Sequence, residues 1–312
     1  MADLNAISLP KLFDALDGER AAHRVAVAAR DEDLGPGGRP GDLTGLIASP
    51  AGDRARARLR ARQAGVAAGL ACLPAFVPVF SRRIRARTLM RDGAAFQAGQ
   101  DLCELSGSAR DILALERSLL NLLSRLCGVA TVTRRYLKAM NASGPVRARL
   151  LDTRKTTPGL RVLEKYAVRC GGGFCHRVGL YDAVLIKDNH IAHVPIWELK
   201  GWTERAAAKA RSLNPSFVEI EVDSLEQLGE VLIARLGRNP AVDIVLLDNM
   251  TPGVMKKAVA MRDALAPGVL LEASGGIDLS TIARAARSGV DRISVGALTH
   301  SAPIIDLGLD FL

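Results

Sequence analysis

Aromatic residues and long apolar runs are both scarce in this chain. Phe, Trp and Tyr make up only 4% of its 312 residues, although 48% of the residues are hydrophobic. We therefore expect a core of aliphatic side chains. No apolar run reaches the roughly 20 residues that a membrane-spanning helix needs, and Met1–Ala6 lacks the basic and apolar stretches of a secretory signal. These absences predict a cytoplasmic protein that does not bind a membrane.

A pattern of paired cysteines is also missing. The five cysteines are odd in number, widely spaced and without a Cys-x-x-Cys pair, which argues against a disulfide framework. Cys170 and Cys175 flank a triple glycine. We interpret them as reduced, packed thiols rather than as metal ligands.

Basic residues outnumber acidic ones, and the net charge is +9. In the densest basic run, Arg54–Arg62, arginine alternates with alanine or leucine. Residues two apart share one face of a strand, so we predict a strand with one solvated arginine face. Nucleic-acid binding is a less favoured alternative, because no aromatic residues interleave to stack bases.

The pattern of apolar residues changes along the chain. Residues 1 to about 140 mix a helical run over Lys11–Arg30, a strand-like run over Ala75–Phe80, and an apolar helical pattern over Ala109–Met140 that we expect to bend or break near Gly128. After that, short apolar runs alternate with helical runs, which is typical of parallel strands with crossover helices. The predicted strands are Val146–Leu151, Ala183–Ile186, Phe217–Val222, Ile244–Leu247, Val269–Ala273 and Arg292–Val295.

This repetition predicts an α/β fold with a closed or nearly closed parallel barrel, and an open doubly wound sheet is the alternative. Polar groups follow the predicted strands at their carboxyl ends, where the loops of an α/β barrel build the active site. The groups are Asp152, Arg154, Lys155, Lys187, Glu221, Asp248, Ser274 and Gly296.

The segment between Leu151 and His190 concentrates cations around the triple glycine. Arginine offers a planar fork and lysine a point charge for carboxylates or phosphates, so the segment predicts a pocket for a small polyanion. Glycines near Ser274 and at Gly296 allow backbone N–H groups to approach a phosphate. The cations of the segment are Arg154, Lys155, Arg161, Arg169, His176, Arg177 and Lys187.

Acidic residues end two neighbouring predicted strands. Glu221 and Asp248 either pair with nearby lysines, or hold ribose hydroxyls, bind Mg²⁺ or stabilise positive charge on a sugar ring. We expect Glu219 and Glu221 to point to opposite faces of their strand, so that only one of them faces the site.

Several motifs lie in order along most of the chain. They are Glu116–Asn121, Asp152–Arg161, Lys165–Gly173, His176–Arg177, Leu185–His190, Glu219–Glu221, Leu247–Asn249, Glu272–Ile277 and Leu298–Ser301. These motifs resemble those of the quinolinate phosphoribosyltransferase family, also called carboxylating nicotinate-nucleotide pyrophosphorylases. The family usually has Asn where this chain has Cys175, and a thiol cannot replace both hydrogen-bonding functions of an amide.

The resemblance implies a pentosyltransferase that turns quinolinate and phosphoribosyl pyrophosphate into nicotinate mononucleotide, pyrophosphate and CO₂, with Mg²⁺, in NAD biosynthesis. It also implies an N-terminal α/β sandwich domain over 1–127, joined by the C-terminal tail 302–312, and a type II phosphoribosyltransferase-like α/β barrel, possibly open, over 128–301. The implied assembly is a homodimer with a site shared across its interface.

The resemblance further implies individual roles, with Lys155, Lys187, Glu221 and Asp248 as catalytic residues. Glu221 and Asp248 would serve the ribose and the metal, and Lys155 would lie between quinolinate and pyrophosphate. The implied contacts to the quinolinate carboxylates are Arg154, His176, Arg177 and Lys187, with Arg117 reaching the site of the partner subunit. Those to the 5′-phosphate are Ser274, Gly275, Gly276, Gly296 and His300.

Two alternatives stay open. A paralogous phosphoribosyltransferase acting on another aromatic acid is the nearest, and the departure at Cys175 supports it. The cations Arg154, Lys155, Arg177 and Lys187 argue against it, because two carboxylates need several cations. The other alternative, from a different class, is a basic nucleic-acid-binding or regulatory protein on a barrel scaffold.

Overall fold

A computed structural model describes residues 3–50 and 52–312 and divides them into two compact units. The antiparallel unit contains the described residues up to Arg134, with Lys155–Gly173 and Leu298–Leu312. The parallel unit contains Arg135–Arg154 and Phe174–Ala297. The prediction that Met1–Ala6 is not a secretory signal depends partly on Met1 and Ala2, which lie outside the described residues.

The antiparallel unit is built on a sheet with the strand order β14-β1-β5-β3. Its strands are β1 (Arg54–Ala61), β3 (Arg85–Thr88), β5 (Asp101–Ser108) and β14 (Leu307–Phe311), beside a short pair, β2 (Gly65–Val66) and β4 (Ala95–Phe96). Its helices are α1 (Leu9–Ala15), α2 (Gly18–Leu34), α3 (Leu43–Ala48), α4 (Leu73–Phe80), α5 (Ala109–Met140, whose last turns belong to the parallel unit) and α6 (Arg161–Cys170).

Strand β1 confirms the prediction from the alternating arginine run. Ala57, Leu59 and Ala61 are buried on one face. On the other face Arg58 and Arg60 bind Asp101, with a distance of 2.7 Å between Arg60 Nε and Asp101 Oδ1. The arginine face is therefore a network of ion pairs within the antiparallel unit.

Three sequence predictions in this unit need correction. The run Ala75–Phe80 lies in helix α4, because Pro74 suits a first helical turn and a short apolar run does not distinguish strand from helix. The predicted helix Lys11–Arg30 is two helices, separated at Asp17, which has φ 56°. Helix α5 does not break at Gly128; a Cβ atom there would lie 1.8 Å from the Pro303 carbonyl oxygen, so this glycine permits close packing.

The ion pairs of the arginine face predict acid destabilisation. Hydrogen bonds and charges from the arginines lower the pKa values of Asp101, Glu104 and Asp310. These carboxyls bind fewer protons folded than unfolded, so their contribution to stability is present above the unfolded pKa and is lost as pH falls through the folded pKa. Urea denaturation at about pH 6 and about pH 3 should show the loss, and Asp101→Asn should reduce its size. Equal losses in both proteins would contradict this assignment.

The parallel unit contains a sheet of parallel strands in the order β6-β13-β12-β11-β8-β7. The predicted α/β class is confirmed. Strands β6 and β7 lie at the two ends of the hydrogen-bonded order, so this is the open form of the barrel that the resemblance implies. The strands are β6 (Arg149–Leu151), β7 (Val184–Ile186), β8 (Val218–Val222), β11 (Ile244–Asp248), β12 (Leu270–Ser274) and β13 (Arg292–Ser294).

Helices and one hairpin connect these strands. The hairpin, β9 (Arg235–Leu236) with β10 (Asn239–Pro240), lies in the connection between β8 and β11. The helices are α7 (Asp188–Ile191), α8 (Ile196–Arg211), α9 (Leu225–Ile233), α10 (Pro252–Leu265), α11 (Ile282–Ala286) and α12 (Ala297–His300, which ends in the antiparallel unit).

Aliphatic side chains fill the interior of both units, as the low aromatic content predicts. All five cysteines fall within the described residues, and each is a buried free thiol. Among residues 3–50 and 52–312, no helix has the length and apolar character needed to traverse a lipid bilayer.

Candidate active site

The carboxyl ends of the parallel strands bring several predicted site residues to one edge of the sheet. Asp248, the last residue of β11, is in register with Ser274, the last residue of β12. Glu221 on β8 is in register with Leu246, two residues before Asp248. This is the edge at which parallel α/β sheets build their active sites.

Glu221 lies between a cation and a second acid. Its carboxylate is 3.4 Å from Lys187 Nζ, and it is buried while Lys187 is half exposed. Burial raises the pKa of Glu221, Lys187 lowers it, and the negative charge of Asp248 raises it further. The predicted catalytic residues Lys187, Glu221 and Asp248 are therefore close enough to influence one another.

These two acids also fit the metal that the family implies. Mg²⁺ prefers oxygen ligands and is typically held by one or two carboxylates together with substrate oxygens. Glu221 and Asp248 supply carboxylates of that kind at the open edge of the sheet. Each adds negative charge beside the other, which a divalent cation would relieve.

Arg154 and Arg177 converge in the parallel unit. Arg177 is buried, with 7% of its surface exposed, and its Nη1 lies 3.5 Å from the Ala183 carbonyl oxygen. Burial lowers the pKa of Arg177, and the nearby charge of Arg154 lowers it further. Glu219 and Asp182 partly offset this repulsion for Arg177, and a carboxylate bound near both guanidinium groups would offset it further.

His176, which the resemblance assigns to substrate, is enclosed by protein groups. Its Nε2 atom is 3.1 Å from both Glu219 Oε2 and Glu272 Oε1, and both glutamate side chains are fully buried. Its Nδ1 atom accepts a hydrogen bond of 2.8 Å from the Arg177 N–H group. Arg292 Nε completes the group with a 2.6 Å hydrogen bond to Glu272 Oε2. We call His176, Glu219, Glu272 and Arg292 the histidine cluster.

The expectation that Glu219 and Glu221 point to opposite faces is wrong, because residues two apart on a strand share a face. Both are buried. They differ in their partners instead, since Glu219 contacts His176 and Glu221 contacts Lys187.

One proton is shared within the histidine cluster. Burial lowers the pKa of His176, but Glu272 and Glu219 raise it to about 10; burial and Glu272 also raise the pKa of Glu219. These two shifts describe a single proton for which both groups compete. The hydrogen bond that Nδ1 accepts from the Arg177 N–H favours the tautomer with the ring proton on Nε2.

Glu272 remains ionised in the histidine cluster. Burial alone would raise its pKa, but His176 and Arg292 lower the pKa to about 2. Its charge is balanced by the Arg292 guanidinium, so the cluster is neutral overall. A neutral cluster can be buried at a much smaller desolvation cost than isolated charges.

The loop after β12 has a backbone that favours glycine. Gly275 and Gly276 have φ angles of 87° and 60°, and a Cβ atom on Gly275 would lie 2.2 Å from Asn249 Oδ1. Ser274 Oγ lies 3.1 Å from Ser294 Oγ on the neighbouring strand β13. The phosphate-binding role of Ser274 and these glycines stays a prediction. Gly296 follows β13 at the same edge.

Three predicted site residues belong to the antiparallel unit. Arg117 is exposed on α5 and lines a cleft of about 470 Å³. Lys155 is exposed, and its carbonyl oxygen accepts a 2.7 Å hydrogen bond from Thr299 Oγ1. His300 is exposed, with Nδ1 2.7 Å from Ser301 Oγ. Their roles in the site stay predictions.

Sequence reasoning missed Glu272 and Arg292 as contributors to the site. One signal was available, because a charged residue inside the apolar strand Leu270–Ser274 needs a buried partner. The identity of that partner depends on strand order, which places β13 beside β12 and pairs Glu272 with Arg292.

Comparison with known proteins agrees with this arrangement. Family models for the N-terminal and C-terminal domains of quinolinate phosphoribosyl transferase match residues 42–127 and 129–310. Over 222 residues the chain is 47% identical to the carboxylating nicotinate-nucleotide pyrophosphorylase of Mycobacterium leprae, covering 71% of this chain and 73% of that protein. A probable enzyme of the same name from Bacillus subtilis is 40% identical over 222 residues, covering 70% of this chain and 71% of that protein.

A solved structure matches the entire chain. The nicotinate-nucleotide pyrophosphorylase of Francisella tularensis is 34% identical, with a TM-score of 0.82 and full coverage of both chains. The two domain models together cover most of this sequence. The chain therefore belongs to the quinolinate phosphoribosyltransferase family.

Proposed function

We propose that this protein transfers the phosphoribosyl group of phosphoribosyl pyrophosphate to quinolinate. Decarboxylation follows and gives nicotinate mononucleotide, pyrophosphate and CO₂ for NAD biosynthesis. Family membership and the names of the relatives support this proposal. The observation that carries it is the buried Arg177 with Arg154 near enough to influence its charge, which provides cations for a carboxylate of the acid.

Quinolinate has adjacent carboxylates on a flat ring, and each needs a cation. Arg154 and Arg177 would bind one carboxylate through planar forks, and Lys187 would supply a point charge. Lys155 would bridge quinolinate and the departing pyrophosphate, as its motif implies. Nearby cations would also stabilise negative charge on the ring carbon left by CO₂.

Glu221 and Asp248 would serve the sugar. Loss of pyrophosphate leaves positive charge on the ribose ring, and two carboxylates below that ring would stabilise it without a covalent nucleophile. The pairing of Glu221 with Lys187 would keep this acid ionised and correctly oriented. The turn from Ser274 to Gly276, with Gly296 and His300, would hold the 5′-phosphate.

Magnesium, assembly and location belong to the same proposal. Glu221 and Asp248 would hold Mg²⁺, which neutralises phosphate charge when bound. The protein would act as a homodimer in the cytoplasm, with Arg117 of one subunit completing the site of the other.

A single assay tests the proposed reaction. Purified protein with Mg²⁺ and phosphoribosyl pyrophosphate receives quinolinate in one tube and nicotinate in a parallel tube, and nicotinate mononucleotide is followed. We expect product from quinolinate only, because nicotinate has a single carboxylate and would leave Lys187, the cation proposed for the second carboxylate, without an anion. Turnover of nicotinate, or of neither acid, would contradict the substrate assignment.

A further inference from the structure

We propose that His176 is a positioning residue in this enzyme, held by Glu219, Glu272 and Arg292, and that it fixes the backbone of Arg177 rather than contacting quinolinate. The inference deepens the proposed function and rests on it. It assigns a role to Glu219, Glu272 and Arg292 and changes the role implied for His176.

Both ring nitrogens of His176 already have partners within the protein. Nε2 lies between the carboxylates of Glu219 and Glu272 at 3.1 Å from each. Nδ1 accepts the N–H of Arg177 at 2.8 Å. A direct bond to a quinolinate carboxylate would require His176 to give up one of these buried contacts and leave a polar group unpaired, at a cost in binding energy.

Neighbouring side chains restrict the position of the His176 ring. Phe217 meets it edge to face, with ring centroids 5.6 Å apart and planes at 78°. The Arg292 guanidinium lies 5.6 Å from the centroid of the same phenylalanine ring. Strands β8, β12 and β13 thus each contribute to holding one imidazole, because Glu219, Glu272 and Arg292 come from these strands. A side chain fixed by rigid strands is suited to orienting another group.

The His176 ring also contacts the backbone segment from His176 to Gly179. The N–H of His176 donates to Asp152 Oδ1 at 2.8 Å. The N–H groups of Val178 and Gly179 donate to the Asp182 carboxylate at 2.7 and 2.8 Å. Between these anchors, the Arg177 N–H donates to the imidazole Nδ1 at 2.8 Å. The ring therefore sets the peptide from which the Arg177 side chain extends.

The wild-type enzyme provides the first test, which requires no folded variant. Nitrogen-15 NMR of the imidazoles distinguishes five histidines, and His176→Asn identifies the signals of His176. We expect an unprotonated Nδ1 and a protonated Nε2, both unchanged when quinolinate saturates the protein. A quinolinate-induced shift typical of a new hydrogen bond at either nitrogen would overturn the inference.

Steady-state kinetics of Glu219→Gln and Glu272→Gln provide the second test. Because small displacements of a binding group are costly, we expect KM for quinolinate to rise by about tenfold or more, with KM for phosphoribosyl pyrophosphate changed by less than about twofold. Asp291→Asn is the matched control. It removes another buried acid of the parallel unit, 2.6 Å from Arg262 Nη1, and should leave both KM values unchanged.

The two hypotheses fail in different ways. If the proposed function is wrong, the wild-type protein and all variants will lack quinolinate turnover. If only the role of the histidine cluster is wrong, the wild-type protein will turn over quinolinate, while Glu219→Gln and Glu272→Gln will keep its KM or raise both KM values equally. Equal rises in Asp291→Asn would likewise overturn the inference, because they would reflect general destabilisation.

Discussion

Replacing Arg177 with alanine is expected to lower kcat/KM for quinolinate by about 10³-fold. The change removes one of two converging guanidinium groups, and Arg154 alone cannot neutralise a dicarboxylate. The fold should persist, because the substitution also relieves repulsion between Arg154 and Arg177. Circular dichroism and steady-state kinetics measured on the same preparation check both statements.

Two control variants sharpen this prediction. Arg177→Lys keeps the charge but loses the planar fork, so its activity should fall between those of the native and alanine proteins. Arg211→Ala removes an arginine that pairs with Asp243 at 2.7 Å, and should be near normal. Near-normal kinetics in Arg177→Ala would refute the assignment of the carboxylate site.

Mixing two inactive variants is expected to restore activity. If Arg117 completes the site of the partner subunit, then Arg117→Ala and Arg154→Ala should each inactivate both sites of their own homodimer. A mixed dimer has one site with both arginines and one site with neither. Random exchange of subunits makes half of the dimers mixed, so the mixture should reach about a quarter of native activity.

Subunit exchange must be verified for this result to be informative. Differently tagged subunits that purify together would demonstrate the exchange. A mixture of Arg117→Ala with itself, differently tagged, is the control and should stay inactive. Verified exchange without recovered activity would argue against a site shared between subunits.

The α/β class followed from sequence because apolar runs mark most strands of the parallel unit and helical runs alternate with them. Helix α10, for example, begins at Pro252, a residue suited to the first helical turn. Polar residues after the strands indicated where the site lies, because parallel strands run in one direction and their carboxyl ends meet at the same edge of the sheet.

Other features could not be predicted, because they depend on contacts between distant segments. The role of Gly128 is set by Pro303, and nothing near Gly128 in sequence indicates that contact. The partners of His176, Glu219 and Glu272, come from β8 and β12, and nothing near His176 in sequence indicates these contacts. The run Ala75–Phe80 is apolar throughout, and such a run carries no period to separate helix from strand.

The pairing of β1 with β14 affects the order of events during synthesis. Ala57 on β1 pairs with Phe311, 254 positions further along the chain. The ribosome must therefore synthesise all of the intervening residues before this pair of strands can form. Until then one edge of β1 is unpaired and open to other strands, which makes the nascent chain prone to aggregation. Such long-range closure is slow, so chaperone binding during translation should increase the yield of folded protein.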